Sequence, residues 1–389
     1  MIVQANTQRP IAVLFGGQSP EHDVSIVTAL QVMDALDPRA FRLIPIYCDF
    51  DGGYVTGPAL RRRDNFRPKP TGKRGYFAWT DDGPGLVCDD KSTYHFDAVI
   101  MAYHGLYGED GREQAHLERL GIPYTGFTSL YSALAMRKDM TKEFLASTGI
   151  RMLPHAVLER PVGGGVQSRQ QLQQTLGELA FPLILKPCSL GSSIGVALVQ
   201  NLAEVEAVLP SILAKDNRVL AEPQVQNLIE YNIAVRMTAN GPITSAIEQP
   251  KTDADLLDFK EKYLSAGGGK KGLSPPSEGM LSLTRDINPA LPPDLEAQIR
   301  SIATLAFERL GQRGAPRFDF LYDSKAGDLY FNEVNPIPGS FGHFLWEAAS
   351  QPLLFPDLLA ALVHEALGDT LRNFGDPVPN DARLLARSG

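Results

Sequence analysis

The chain has 389 residues, 43% apolar and 21% charged, which supplies a sizeable core for two or three domains and excludes a disordered chain. Its formal net charge of −8 argues against a nucleic-acid binder, which carries a basic excess or stripe. No run of ~18 apolar residues predicts a membrane span, no basic region precedes the short apolar run of MIVQANTQRPIAVLFGG, and the scattered Cys48, Cys88 and Cys188 offer neither a disulfide framework nor a Cys-x-x-Cys metal site, so a cytoplasmic protein is expected.

The segment IAVLFGG (11–17) reads as a buried parallel strand running into a glycine turn. In SPEHDVSIVTALQVMDAL, Val24, Val27, Leu30 and Met33 recur at helical spacing. Ser19 is the expected N-cap and Glu21 lies in the first turn, where the helix dipole favours a carboxylate; His22 is compatible with a capping or a core role. FRLIPIYC and HFDAVIMAYHG (95–105) read as strands on either side of a polar, hairpin-like stretch. Strands alternating with helices predict a parallel sheet, whose ligands gather at the C-terminal ends of strands. Gly16, Gly17 and His104 lie at such ends, and the first unit is expected to close near residue 128.

Helical spacing resumes in SLYSALAMRKDMTKEFLASTGI (129–150). The helix SRQQLQQTLGEL, the strands FPLIL and VALV around KPCSLGSSIG (186–195), the helix LAEVEAVLPSILAKD and the strand RVLAEPQV follow, with a second boundary near 221. EYNIAVRMTANGPITSAIEQP reads as a hairpin with Asn240–Gly241 at its tip. Residues 250–280 form a polar, glycine-rich stretch of lid length. Then come the helix LPPDLEAQIRSIATLAFERLG, two strands in APRFDFLYDSKAGDLYFNEVNPIPG around a turn at Lys325–Gly327, and the amphipathic helix FPDLLAALVHEALGDTLRN.

Two constellations could carry chemistry. Glu333 and Asn335, two apart, share one strand face, with Asp319 roughly opposite. Three such oxygen donors suit Mg²⁺, and the same pattern also fits polar positions on an exposed antiparallel face. In KPCSLGSSIG, Lys186 ends a buried strand and Ser189 to Gly195 can line a concavity of backbone N–H groups that binds anions, or can form a surface hairpin. No Walker loop is present, and GGGKKG (267–272) lacks the Ser or Thr one requires. Cys188 reads as a packing residue. His104, in HGLYGEDGREQ, is compatible with an acid–base, anion-binding or structural role.

Together and in order, GGQSPEHDVS, HGLYGEDGREQAHLERLGIPYTGF, SALAMRKDMTK, LKPCSLGSSIGV, LDFKEKYLS and RFDFLYD…YFNEVNPIPG resemble the D-alanine–D-alanine ligases of the ATP-grasp superfamily over nearly the whole chain. The resemblance implies an α/β ATP-grasp fold of three α/β domains: an N-terminal domain at 1–128, a central one at 129–221, and a C-terminal one at 222–389 with the metal site and the lid 250–280. It implies an ATP-dependent ligase that phosphorylates a D-alanine carboxylate and joins it to a second amino acid for peptidoglycan precursors. ATP and two Mg²⁺ ions (Mn²⁺ as a substitute) are the implied cofactors, small amino acids the substrates, and a homodimer the assembly, with no nucleic-acid or membrane partner.

Carried over position by position, the resemblance implies that Lys138, Lys186 and Ser193 contact the nucleotide's phosphates. Glu222 and Glu230 would contact adenine and ribose, and Lys262 the γ-phosphate. Asp319, Glu333 and Asn335 would hold the metal. Arg317 and the Gly339 N–H would stabilise the oxyanion. Glu21 would bind the first ammonium through a set shared with Ser192 and Tyr263. His104 is an expected substrate contact.

Departures cluster at the acceptor. Phe344 stands where the resemblance expects a serine that grips the incoming carboxylate, Pro336 replaces a Thr or Ser, and the stretch before EAAS is about four residues short. A hydroxyl-to-phenyl change there would remove a charge-assisted bond worth roughly 1.5–3 kcal/mol. Ser340 and His343 are the expected compensating contacts. The alternative is a paralogue joining another amino acid or amine in a specialised pathway.

Overall fold

The computed structural model describes residues 8–67, 69–251 and 285–368. Three sheets carry the chain. The first runs β6-β5-β4-β3-β2-β1-β7, with β1 at Arg9–Gly16, β2 at Phe41–Cys48, β3 at Tyr54–Thr56, β4 at Lys73–Thr80, β5 at Gly83–Cys88, β6 at Thr93–Tyr94 and β7 at Ala98–Met101. Only β1 with β2 and β1 with β7 pair parallel, and the outer strands are antiparallel. The expected parallel sheet is therefore a mixed one. The β2–β3, β4–β5 and β5–β6 connections are too short for the crossover a parallel neighbour needs, and the longer β3–β4 connection also returns antiparallel.

Ile11 to Phe15 are wholly buried, because both faces of β1 are covered. One cover is the helix His22–Ala35. It starts later than the cap pattern suggested: Glu21 holds the N-cap position, and the Ser19 hydroxyl instead accepts the Glu21 N–H at 3.1 Å. The other comes from the far end of the chain. Trp346 of the helix His343–Glu347, and Leu358, Leu359, Leu362 and Val363 of the helix Phe355–Gly368, join the same core as Ile11–Phe15.

The second sheet is β10-β9-β11-β8, with β8 at Ala156–Glu159, β9 at Leu183–Pro187, β10 at Ala197–Val199 and β11 at Arg218–Pro223. The glycine- and serine-rich stretch joins β9 and β10, whose register is Leu183↔Val199 and Leu185↔Ala197. The helical stretch 129–150 is two helices, Ser129–Met136 and Lys138–Leu145, broken at Arg137 (φ −99°, ψ 98°). The break frees the Lys138 N–H to donate to the Cys188 carbonyl at 3.0 Å.

The third sheet is β14-β13-β12-β15-β16, with β12 at Leu228–Thr238, β13 at Gly241–Pro250, β14 at Arg285–Ile287, β15 at Arg317–Asp323 and β16 at Asp328–Asn335. The helix Pro293–Arg309 lays Ile299, Ala303 and Phe307 into a core with Phe318, Phe320 and Phe331. The β12–β13 turn falls one residue earlier than expected, at Ala239–Asn240, because Gly241 already pairs with Thr238. The lid stretch lies almost wholly outside the described residues. No helix among those residues is long and apolar enough to cross a membrane.

Candidate active site

The site is built on one face of the third sheet. Register places Glu248 opposite Asn232, Asn232 opposite Asp319, and Asp319 opposite Glu333. Residues paired across neighbouring strands share a face at ~4.8 Å per strand, so these four form one row. Arg317 and Asn335 pair in the adjacent row. Arg317 donates from both Nε and Nη2 to the two Asp319 carboxylate oxygens, at 2.7 Å each, and the Asn335 amide donates to Asp319 Oδ2 at 2.9 Å. Burial works against the Arg317 charge, but Asp319, Glu248 and Glu333 outweigh it and raise its pKa above the ordinary value.

A β-bulge follows: Asp319 faces Glu333 but Phe320 faces Phe331, which leaves Asn332 as the extra residue. A bulge re-aims a side chain, and here Asn332 Oδ1 accepts a bond from Lys186 Nζ at 2.9 Å. Lys186, at the end of β9, also pairs with Glu222 of β11 at 2.6 Å. Leu220 faces Lys186 in the register, so Lys186 and Glu222 are diagonal neighbours on one sheet face.

The helix Lys138–Leu145 supplies two more cations. Lys138 and Lys142 are four apart and share one helix face. Lys138 Nζ donates to the Leu190 carbonyl at 2.8 Å and pairs with Glu333 at 3.1 Å. Lys142 is 2.6 Å from the other Glu222 oxygen, an ion pair bent away from hydrogen-bond alignment. Burial alone would raise the Glu222 pKa, but Lys186 and Lys142 outweigh it and hold it at about 2. Those neighbours set the lysines apart. Burial prevails at Lys142 and lowers its pKa, whereas Glu222 and Glu333 outweigh burial at Lys186 and raise it. Glu230, on β12, adds to the field that raises Lys186.

Ser192 and Ser193 both adopt left-handed backbone (φ 52° and 57°) within the flap. The Ser192 hydroxyl donates to Glu21 Oε1, joining the flap to the N-terminal sheet. Beside that carboxylate Gly105 has φ +76°, and a Cβ there would stand 2.3 Å from Ser19 Oγ and 2.7 Å from Glu21 Oε2. Any side chain would displace Glu21. His104 is buried, with Nε2 2.7 Å from Thr28 Oγ1, and burial lowers its pKa despite nearby Glu21. His22 is a core residue, with Nδ1 2.7 Å from the Gly17 carbonyl and Nε2 3.0 Å from the Tyr47 hydroxyl.

After β16 the chain turns through Ser340, Phe341 and Gly342, all left-handed. The Ser340 hydroxyl donates to Gln31 Oε1 and its N–H reaches Thr28 Oγ1 at 3.4 Å. Gly339 opens this turn. His343 faces Glu347 at 3.2 Å and the Phe355 ring at 4.8 Å between centroids. Its contacts thus lie on its own helix and the next, and neither His343 nor Ser340 joins the row. Cys188 is buried, which pushes its thiol up to about 12, as befits a packing residue. Lys262 and Tyr263 lie outside the described residues.

Among the site residues that escaped the sequence reading are Lys142, Asn332 and Glu109. Glu109 is buried and accepts the Gly105 N–H at 2.6 Å and the Ile337 N–H at 3.0 Å, stitching the loop after β7 to the one after β16. Burial first, then Glu21, push its pKa up to about 8. Lys142 had a signal, its i+4 spacing from Lys138. Glu109 had only the unusual Gly and acid content of its loop. Asn332 had none.

The donor set fits a hard divalent cation. Asp319, Glu333 and Asn335 offer carboxylate and amide oxygens on adjoining positions, and cationic groups of Arg317 and Lys138 already balance the two carboxylates. No cluster of three or more His, Cys, Asp or Glu suited to an ion occurs among the described residues, so this set of two acids and one amide would need waters or substrate phosphates to complete it.

The sheets, Lys138 reaching the glycine- and serine-rich flap, the buried lysines on Glu222 and the oxygen row define an ATP-grasp ligase. Solved structures share the fold: the D-alanine–D-alanine ligase of Coxiella burnetii matches with a TM-score of 0.74 at 26% identity, covering 92% of this chain and 94% of its own. The VanG D-Ala:D-Ser ligase of Enterococcus faecalis matches with a TM-score of 0.72 at 24% identity, over 92% and 100%, a likeness of fold. Models described as D-ala D-ala ligase N-terminus and C-terminus match residues 10–127 and 144–364. The D-alanine–D-alanine ligases of Chlorobium phaeovibrioides and Deinococcus radiodurans are each 32% identical to this chain, covering 92% of it and 97% and 99% of their own lengths. The chain belongs to the D-alanine–D-alanine ligase family and is an ATP-dependent ligase of peptidoglycan precursor synthesis.

Proposed function

We propose that this site joins two D-alanines through an acyl phosphate. The observation that carries the reading is the Ser192–Glu21 bond, which ties the phosphate flap to the N-terminal sheet, so that nucleotide closure and donor binding act together. Glu21 binds the donor ammonium and buried His104 lines the same pocket. Lys138, Lys186 and Ser193 neutralise and position the phosphates, which is most of what phosphoryl transfer asks of a protein. Glu222 fixes Lys186, and with Glu230 it faces the nucleoside. Asp319, Glu333 and Asn335 would hold two Mg²⁺ ions, which when bound would supply positive charge for the phosphate oxygens. Arg317 and the Gly339 N–H take the developing oxyanion. Ser340 and His343 support the acceptor end through Gln31, Thr28 and Glu347 rather than directly. Lys262 and Tyr263 are assigned to the lid on sequence alone.

Family membership favours D-alanine over the paralogue reading with a foreign acceptor. The division into 1–128, 129–221 and 222–389 belongs to this proposal. The sheets support it, lying within 9–101, 156–223 and 228–335, and they shift the second boundary to just after Pro223. A cytoplasmic homodimer without nucleic-acid or membrane partners completes it, resting on composition and family. The test is Mg²⁺-ATP turnover with D-alanine as sole amino acid, following phosphate and product mass together. Phosphate with a mass of two alanines less one water supports the reading; phosphate without dipeptide refutes the acceptor.

A further inference from the structure

Phe344 cannot grip a carboxylate, yet something at the acceptor end must. Arg285 opens β14 and lies two residues from Ile287, which pairs with Glu248, so its side chain rises from the same sheet face as the row. Its guanidinium lies over the Phe344 ring, 4.6 Å from the centroid. Arg285 Nη1 is 2.8 Å from Glu248 Oε1, and Glu248, itself buried, receives the Asn232 amide on its other oxygen at 3.2 Å. Arg285 Nε meets no acceptor among the described residues.

We propose that Arg285, laid flat on Phe344 and anchored by Glu248, binds the α-carboxylate of the acceptor amino acid. The physical logic is geometric. A phenyl ring occupies the face of a guanidinium and leaves its in-plane N–H donors to a carboxylate. Glu248 uses one of these donors and orients the rest. A serine hydroxyl at position 344 offers a single donor; the Phe344–Arg285 pair offers a fork that matches a carboxylate bidentately. The inference deepens the ligase reading and rests on it.

The experiment compares D-alanine with D-alaninamide as acceptor, following each product by mass in the full-length enzyme. The amide keeps the attacking amine and lacks the carboxylate. In R285Q/E248Q, which leaves no buried charge unpaired, the acid-over-amide preference in kcat/KM should fall about 10- to 100-fold, the range of a charge-assisted hydrogen bond. Adding Phe344→Ser to that variant should restore part of it. R285K, which keeps a cation for Glu248, should fall in between and carries the test if the double variant fails to fold. A preference unchanged from wild type in a folded variant overturns the proposal, as does an equal loss with both acceptors. Wild-type enzyme that releases phosphate but makes no D-alanyl-D-alanine overturns the D-alanine assignment instead; the same acid-to-amide ratio then tests Arg285 with whichever amino acid is accepted.

Discussion

Glu222 at the nucleotide end and Glu109 at the amino-acid end are both buried carboxylates, yet one is held at about 2 and the other is pushed up to about 8. Burial raises both. Glu222 has two ammonium groups within 2.6 Å, and their attraction exceeds the desolvation penalty. Glu109 has two backbone N–H donors and Glu21 nearby, and those donors do not offset burial. The nucleotide end is therefore a fixed array of charges suited to an anion. The amino-acid end around Glu109 is a joint between loops, where burial disfavours the charged forms of Glu109 and His104.

The largest effect should come from breaking the charged array at its reactive member. Lys186→Ala should lower kcat for phosphate release about 100- to 1000-fold, the scale of losing one preorganised electrostatic contact; saturating-ATP kinetics check it. Lys142→Met removes the other cation from Glu222 and moves that residue toward the condition of Glu109. A loss of about 3 kcal/mol in urea unfolding is expected for one broken buried pair.

The two glutamates should also part company in pH. Glu109 has a folded pKa above its ordinary 4.5, so the folded state keeps a proton the unfolded chain releases, and its contribution to stability falls as pH rises from 4.5 to about 8. Glu222 runs the other way, contributing fully above 4.5 and losing that contribution as pH falls towards about 2. Stability measured for wild type and Glu109→Gln at pH 5 and pH 8 should shift by about 2–4 kcal/mol in favour of the variant at the higher pH; a pH-independent difference would show that Glu109 ionises normally.

Cutting the link between flap and N-terminal sheet should cost less. Ser192→Ala should raise the donor KM about 10-fold, as expected for one hydrogen bond to a charged group, while ATP binding measured by calorimetry changes little. The smallest effect lies away from both regions. Ser168 and Gln171 form a capping box on the helix Arg169–Leu176, and Ser168→Ala should lower stability by about 1 kcal/mol without altering kinetics.

The sequence by itself determined what depends on spacing within one element or between two joined by a short connection. Asp319, Glu333 and Asn335 converge because a strand alternates every two residues and the hairpin turn at Lys325–Gly327 brings the strands into register. KPCSLGSSIG was legible as a loop between two buried strands for the same local reason. The structure alone decided which faces meet. Lys142 finds Glu222, Lys186 finds Asn332, Glu109 finds the Ile337 N–H, and the helix Phe355–Gly368 returns to cover β1. Each joins residues distant in the chain, where periodicity shows that a face is polar or apolar and says nothing of its partner. Asn332 adds a second reason. A bulge shifts its strand out of simple alternation, and it arises from pairing with a neighbouring strand that no pattern within Asp328–Asn335 records.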